Sequence, residues 1–204
     1  MYKKDIFTDV FKRKLWAGSE SVSGNGSSLD QTATIRREIP SLLRALQIKT
    51  MLDAPCGDFH WMKNTPLELD RYIGVDIVPE LIDENNRKYS DSKKQFVALD
   101  ITTADLPQVD LILCRDCFVH LSFTDIWSAL NGFKRSGSRY LLTTTFTNVT
   151  TNTDIQTGMN WRPINLQLPP FSFPQPITII NENCTEGEMQ FTDKSLALWA
   201  LQSL

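Results

Sequence analysis

Acids stand where apolar runs stop in four stretches of the chain. LDAPCGDFHWM (52–62) carries Asp53 and Asp58 around Pro55, Cys56 and Gly57. YIGVDI (72–77) closes on Asp76 and Ile77, FVALDI (96–101) on Asp100 and Ile101, and LILCRDCFVHLS (111–122) turns at Cys114, Arg115 and Asp116. Each acid alone has a local reading: Asp53 caps a helix, Asp76 begins a turn, Asp100 pairs with a lysine. Their recurrence at successive strand ends points to a ligand, because open α/β sheets bind ligands beyond the carboxyl ends of their strands. Asp76 follows Asp53 by 23 residues, and an acid there can accept hydrogen bonds from both hydroxyls of an adenosine ribose.

That ribose contact serves NAD as well as any other adenosine, so the turn after Asp53 has to discriminate. A dinucleotide turn needs glycines that let backbone amides approach a pyrophosphate. Here only Gly57 is kept; Pro55 and Phe59 stand where further glycines would, and Asp58 adds negative charge. A pyrophosphate would meet a missing amide, a ring and a like charge, whereas a zwitterion carrying an ammonium and a sulfonium would be attracted. A nicotinamide-dependent oxidoreductase remains the alternative reading, as does a catalytically silent binding domain.

CRDCFVHLS adds a second kind of chemistry. If the chain turns helical after Cys114, Asp116 and His120 share a face at i and i+4. A neutral imidazole is a suitable proton acceptor near neutral pH, and Asp116 would orient it, so His120 and Asp116 are the catalytic candidates. A packing role for His120 stands beside this. Arg115 either binds a substrate carboxylate or pairs with Asp116, and a carboxylate acceptor would need no base.

These residues require a scaffold that gathers strand ends. Strands are expected at 50–54, 72–76, 96–100, 111–114 and 139–146, with a short helix after Asp58 and helices near 79–89 and 124–133. Near-continuous apolar strands joined by helices argue for a parallel sheet covered on both faces. Two last strands, 177–183 and 195–201, read as a hairpin closing the sheet. Upstream, 31–47 is helical with Ile35, Ile39, Leu42, Leu43 and Leu46 on one face and a kink expected at Pro40. DIFTDVFKRKLW also has helical spacing, and the Ser/Gly stretch after it is either a linker or an ordered loop over a ligand.

At this point the motifs resemble those of class I S-adenosylmethionine-dependent methyltransferases, in a variant whose first motif reads D-x-P-C-G. YIGVDI is similar to the second-strand motif, FVALDI to the third, and VDLILCRDCFVHL to the fourth. KSLALWAL after ITIINENC looks like the antiparallel pair of that fold. The resemblance covers residues 45–204 and implies a Rossmann-like α/β fold: a seven-stranded, mostly parallel sheet with an antiparallel C-terminal hairpin and helices on both faces. It implies S-adenosyl-L-methionine as cofactor and S-adenosyl-L-homocysteine as product. Asp53, Pro55 and Gly57 would line the methionine end, Asp76 the ribose, Ile77 the ring face, and Asp100 with Ile101 the adenine. Cys114 and Arg115 would lie under the cofactor. Pro55 and Phe59 are departures from the glycine pattern.

Cys114, Cys117 and His120 follow a C-x2-C-x2-H spacing, with Cys56 expected nearby, which is a zinc-like set. The cofactor would claim the same space and Cys114 reads as a buried strand residue, so no metal is expected. Residues 147–176 hold five prolines without periodicity. A loop of that length in a compact domain is usually functional or disordered, and its aromatics argue against disorder. As a substrate-recognition insertion it offers Trp161, Arg162 and Asn165, with Trp161 and Phe171 as a stacking platform; the alternative is that the aromatics fill a satellite core.

The remaining expectations are broad. The 204 residues, 41% hydrophobic and 22% charged, suit one domain. We divide it into an N-terminal extension, 1–48, on the lid and substrate side, and a methyltransferase domain, 49–204, with its insertion at 147–176. A net charge of −3 gives no basic field for nucleic acid. No signal-like or membrane-spanning apolar run is seen, so a soluble, cytoplasmic protein is expected, and four cysteines are too few for a disulfide scaffold. The implied reaction is methyl transfer to a small polar molecule, at oxygen of a sugar or a hydroxy or carboxylic acid. The oligomeric state is not legible.

Overall fold

The computed structural model describes residues 2–204. Seven strands form one sheet: β1 (Thr50–Asp53), β2 (Arg71–Asp76), β3 (Lys94–Ala98), β4 (Leu111–Cys114), β5 (Tyr140–Phe146), β6 (Thr178–Asn181) and β7 (Lys194–Ala200), in the order β3-β2-β1-β4-β5-β7-β6. The first five strands are parallel, and β7 runs antiparallel to both β5 and β6. The order reverses at β1, so the ends of β1 and β4 flank the switch point where a ligand crevice opens.

Helices α1 (Lys3–Lys12), α2 (Ala33–Ala45), α3 (Pro79–Tyr89) and α4 (Phe123–Arg135) surround the sheet. α4 starts at Ser122, whose hydroxyl accepts from the Asp125 amide at 3.2 Å, a side-chain cap for an otherwise orphan donor. α2 continues through Pro40 to Ala45. The short helix expected after Asp58 is a single 3-10 turn, Met62–Asn64.

Strand periodicity divides the core between the two faces. Along β4, Leu111 and Leu113 join Ile35, Ile39 and Met51 on one side, while Ile112 and Cys114 join Leu52, Phe133 and Trp199 on the other. All four β4 side chains are buried, which is why the strand reads as continuously apolar. Edge strand β3 instead alternates about a single buried Phe96 and stops at Ala98, so Asp100 lies in the turn beyond the strand rather than at its last residue.

The 147–176 segment forms no helix or strand, yet it is ordered by its own contacts. Ile164, Leu166, Phe171 and Phe173 are buried in the α4-side core. The Trp199 indole donates to the Pro174 carbonyl at 2.8 Å. Among the described residues, no helix is long and apolar enough to cross a membrane.

Candidate functional site

A cavity of about 530 Å³ opens at the carboxyl ends of β1, β2 and β4 and is roofed by the N-terminal segment. Asp53, Pro55, Gly57, Asp76, Ile77, Asp100, Ile101 and Arg115 all line it, which brings together eight of the nine residues expected around a cofactor. Cys114 is the exception. It is fully buried on the α4-side face of β4, and its carbonyl accepts from the Thr143 hydroxyl at 2.7 Å. The strand's alternation turns its side chain into the core, away from the cavity.

The acids at the strand ends are held differently. Asp53 accepts a hydrogen bond from the buried Tyr72 hydroxyl. Burial pushes its carboxyl up to about 7, against the opposing pull of that bond and of Arg115. Asp76 accepts from the Val78 amide at 3.1 Å and from the Gly57 amide at 3.2 Å. Burial still raises it to about 6. Two carboxyls pushed up by burial suit a ligand that brings cations and hydroxyl donors. Asp100 accepts from the Thr102 amide and hydroxyl at 2.9 and 2.7 Å and lies 3.6 Å from the Lys3 ammonium. Its lysine pairing and its place on the cavity wall hold together.

Asp58 departs from the expectation of a charge aimed at a ligand. Its carboxylate accepts from the Ser21 hydroxyl at 3.0 Å and the Val22 amide at 2.9 Å, so it fastens the N-terminal loop. The Asp58 amide donates back to the Ser23 hydroxyl at 3.2 Å. Gly57 has φ +52°, and a Cβ there would stand 2.3 Å from Ser23 Oγ. The glycine is demanded by the turn and by this loop together. No dinucleotide-type run of glycines is present: the turn is tied to the roof rather than left open for a pyrophosphate.

The proposed Asp116–His120 pair does not form. Asp116 has φ +52° and only a 3-10 turn, Phe118–His120, follows, so no α-helix places the two side chains on one face. Asp116 Oδ2 accepts from Lys194 Nζ at 2.7 Å and lies 3.2 Å from Arg115 Nη1. Arg115 also donates to Glu182 at 2.7 Å and to the Gly26 carbonyl at 2.8 Å, and its guanidinium sits 5.5 Å from the Trp61 ring centroid. Burial opposes ionisation of Asp116, but Arg115 and Lys194 hold it down at about 2. Its other oxygen, Oδ1, is buried without a partner.

His120 is oriented by another group. Its Nδ1 lies 3.0 Å from the Asn160 carbonyl. A carbonyl only accepts, so Nδ1 carries the proton and Nε2 keeps a free lone pair. The ring stacks on Trp16 at 4.4 Å and 28°. Burial lowers its pKa, which keeps the imidazole neutral, and it lines the cavity.

Two of the three expected substrate residues are structural. Arg162 is buried and donates to the carbonyls of Phe118, Leu121 and Thr153, tying the insertion to the loop before α4. The Asn165 side chain donates to the Val149 carbonyl at 3.1 Å and its backbone N–H donates to Asn152 Oδ1 at 2.9 Å, closing the insertion on itself. Neither reaches the cavity. Trp161 does, packed against Phe191 and Phe146 with ring centroids 4.8 and 5.7 Å away. Phe171 is not its platform partner; it packs instead on Phe123 and Trp127. Glu182 and Lys194 were not foreseen as site residues, and Asn160, offered by the insertion for substrate contact, instead meets His120 through its carbonyl. Among the described residues no group of three or more His, Cys, Asp or Glu side chains is placed to hold a metal.

Residues 52–139 match a family profile described as a methyltransferase domain. No curated protein sequence matches the chain. Among solved structures, the N-methyltransferase NodS from Bradyrhizobium japonicum in complex with S-adenosyl-L-homocysteine is similar, with a TM-score of 0.65 and 16% identity over 96% of this chain and 98% of that one. Magnesium protoporphyrin IX methyltransferase from Synechocystis, with bound S-adenosylmethionine, gives 0.59 and 13% over 98% of this chain and 97% of that one. An S-adenosylmethionine-dependent methyltransferase from Clostridium acetobutylicum gives 0.58 and 13% over 82% and 90%. The sheet order and these likenesses give the chain the fold of class I methyltransferases, and its segment 52–139 matches the methyltransferase-domain profile. Its Rossmann-like sheet, with antiparallel strands at the C-terminal end, is the one that the motifs implied.

Proposed function

We propose that the chain is an S-adenosylmethionine-dependent methyltransferase acting at a hydroxyl of a small molecule, with His120 as general base. The carrying observation is a single cavity that has Asp53 and Asp76 at one end and a neutral, oriented His120 on its wall. The residues present fit the cofactor. Asp53 would hold its ammonium and sulfonium, Asp76 would accept from its ribose, and Ile77 and Ile101 would offer apolar surface to its adenine beside Asp100. When bound, it supplies an electrophilic methyl group on a sulfonium, with S-adenosyl-L-homocysteine as product.

The chain's own residues then have distinct tasks. The Asn160 carbonyl fixes the His120 tautomer, and the Trp16 ring fixes its plane. Nε2 takes the proton of the attacking hydroxyl. The N-terminal extension, 1–48, acts as a lid: Phe7, Trp16 and the loop through Ser27 line the cavity, and Asp58 and Arg115 anchor that loop. Exclusion of water by this roof strengthens every charge interaction beneath it. Residues 49–204 form the catalytic domain, in which the 147–176 insertion contributes Trp161 to the acceptor side and Asn160 behind the base.

The test is a mass-spectrometric screen of hydroxyl compounds for a gain of one methyl, in step with formation of S-adenosyl-L-homocysteine. His120→Ala should lower kcat by about 10²–10⁴ while leaving cofactor affinity within about twofold. Unchanged turnover removes His120 as base.

A further inference from the structure

The acceptor end of the cavity has a definite chemical character. On one side Phe7 and Trp16 pack at 5.9 Å, with Trp16 stacked on His120. On the other, Phe146, Trp161 and Phe191 form a mutually edge-packed set with centroids 4.8–6.0 Å apart. Both aromatic groups line the same cavity as His120. A cavity wall this rich in aromatic rings favours flat ligands that can stack or meet ring edges.

Charge sets the second constraint. Three cations line the cavity, Lys3, Arg115 and Lys194, and six acids, Asp53, Asp58, Asp76, Asp100, Asp116 and Glu186. Each cation is already engaged by carboxylate. Lys3 lies 2.8 Å from Asp125, Arg115 lies 2.7 Å from Glu182, and Lys194 lies 2.7 Å from Asp116 with Glu182 and Glu186 at 3.8 and 3.9 Å. An anionic acceptor would find no uncommitted cation here, and a charge left unpaired in a desolvated site costs affinity steeply.

Resting on the methyl-transfer reading above, we propose that the acceptor is an uncharged, flat ring compound carrying the hydroxyl to be methylated, an aromatic alcohol in the simplest case, and not a carboxylate or phosphate. The hydroxyl faces His120 Nε2, the ring lies between the two aromatic groups, and the proton goes to the imidazole as the new O–CH₃ bond forms and the sulfonium C–S bond breaks.

A matched set of probes tests this: 4-ethylphenol, 4-ethylbenzoate and methyl β-glucoside, titrated calorimetrically into the full chain saturated with S-adenosyl-L-homocysteine, and assayed for methyl gain with S-adenosylmethionine. The phenol should bind at least about tenfold more tightly than either competitor, and it alone should be methylated. Benzoate or glucoside binding as tightly as the phenol, benzoate ester formation, or no phenol binding at millimolar concentration each overturns the proposal. In those cases cofactor binding still stands, so the methyl-transfer reading survives. Absence of cofactor binding removes both. Trp161→Ala should raise KM for the phenol about tenfold with cofactor affinity unchanged, and Trp161→Phe should restore it; an unmoved KM also overturns the proposal.

Discussion

Cofactor binding should release protons, and the amount follows from two side chains. In the free protein burial places Asp53 at about 7 and Asp76 at about 6. A ligand that presents a sulfonium and an ammonium to one and ribose hydroxyls to the other favours both ionised forms. At pH 6 the free pair holds about 1.4 protons, and at pH 7 about 0.6, all of which leave on binding. Affinity should therefore fall about tenfold from pH 7 to pH 6, close to 1.4 kcal/mol. Below pH 7 the ligand's own ammonium stays protonated, so the slope belongs to the protein. Isothermal titration in buffers of different ionisation enthalpy counts the protons directly. Asp53→Asn keeps an acceptor for the Tyr72 hydroxyl and should reduce the dependence to about twofold, the share left to Asp76. An affinity that is flat between pH 6 and 7, with no buffer-dependent heat, would refute the assignment of these carboxyls to a cationic ligand.

Other expectations follow from the same contacts. The ligand-free protein should lose stability as pH rises through about 6–7. The sign comes from raised folded-state pKa values, since protonated Asp53 and Asp76 contribute fully only below their unfolded value near 4; thermal melts with and without cofactor check it. Glu182→Ala strands the buried Arg115 and Lys194 charges and should destabilise the fold by about 3–5 kcal/mol in chemical denaturation, more than any surface acid. Gly57→Ala puts a Cβ against Ser23 at positive φ, so it should loosen the 17–28 loop, seen as faster limited proteolysis there and at least about tenfold weaker cofactor binding. Leu113→Ala should cost about 2–5 kcal/mol without altering the pH dependence of binding, because the side chain faces the α2-side core.

The gathering of Asp53, Asp76 and their neighbours at one cavity was legible because its information is local. An apolar strand followed at once by an acid states both the element and the position of the carboxylate, and β1 and β2 deliver Asp53 and Asp76 to neighbouring ends. The surroundings of Arg115 and His120 were not, because their contacts span distant segments. Arg115 meets Glu182 across 67 positions and Asn160 meets His120 across 40. Arg162 and Asn165 looked like ligands by residue type, but a long loop without secondary structure needs its carbonyls satisfied, and these side chains do that. Cys114 failed for a simpler reason: in a strand buried on both faces, apolar continuity hides which side each residue takes. Asp116 and His120 assumed a helix where the chain makes a left-handed residue and a 3-10 turn.

The most direct test is calorimetric titration of the purified chain with S-adenosylmethionine near pH 7. The account predicts saturable one-to-one binding that Asp76→Ala weakens by at least about tenfold, the loss expected of a charged hydrogen-bond acceptor, while Trp161→Ala leaves it unchanged. No heat at millimolar ligand, or an Asp76→Ala variant that binds as well as the parent, would contradict it.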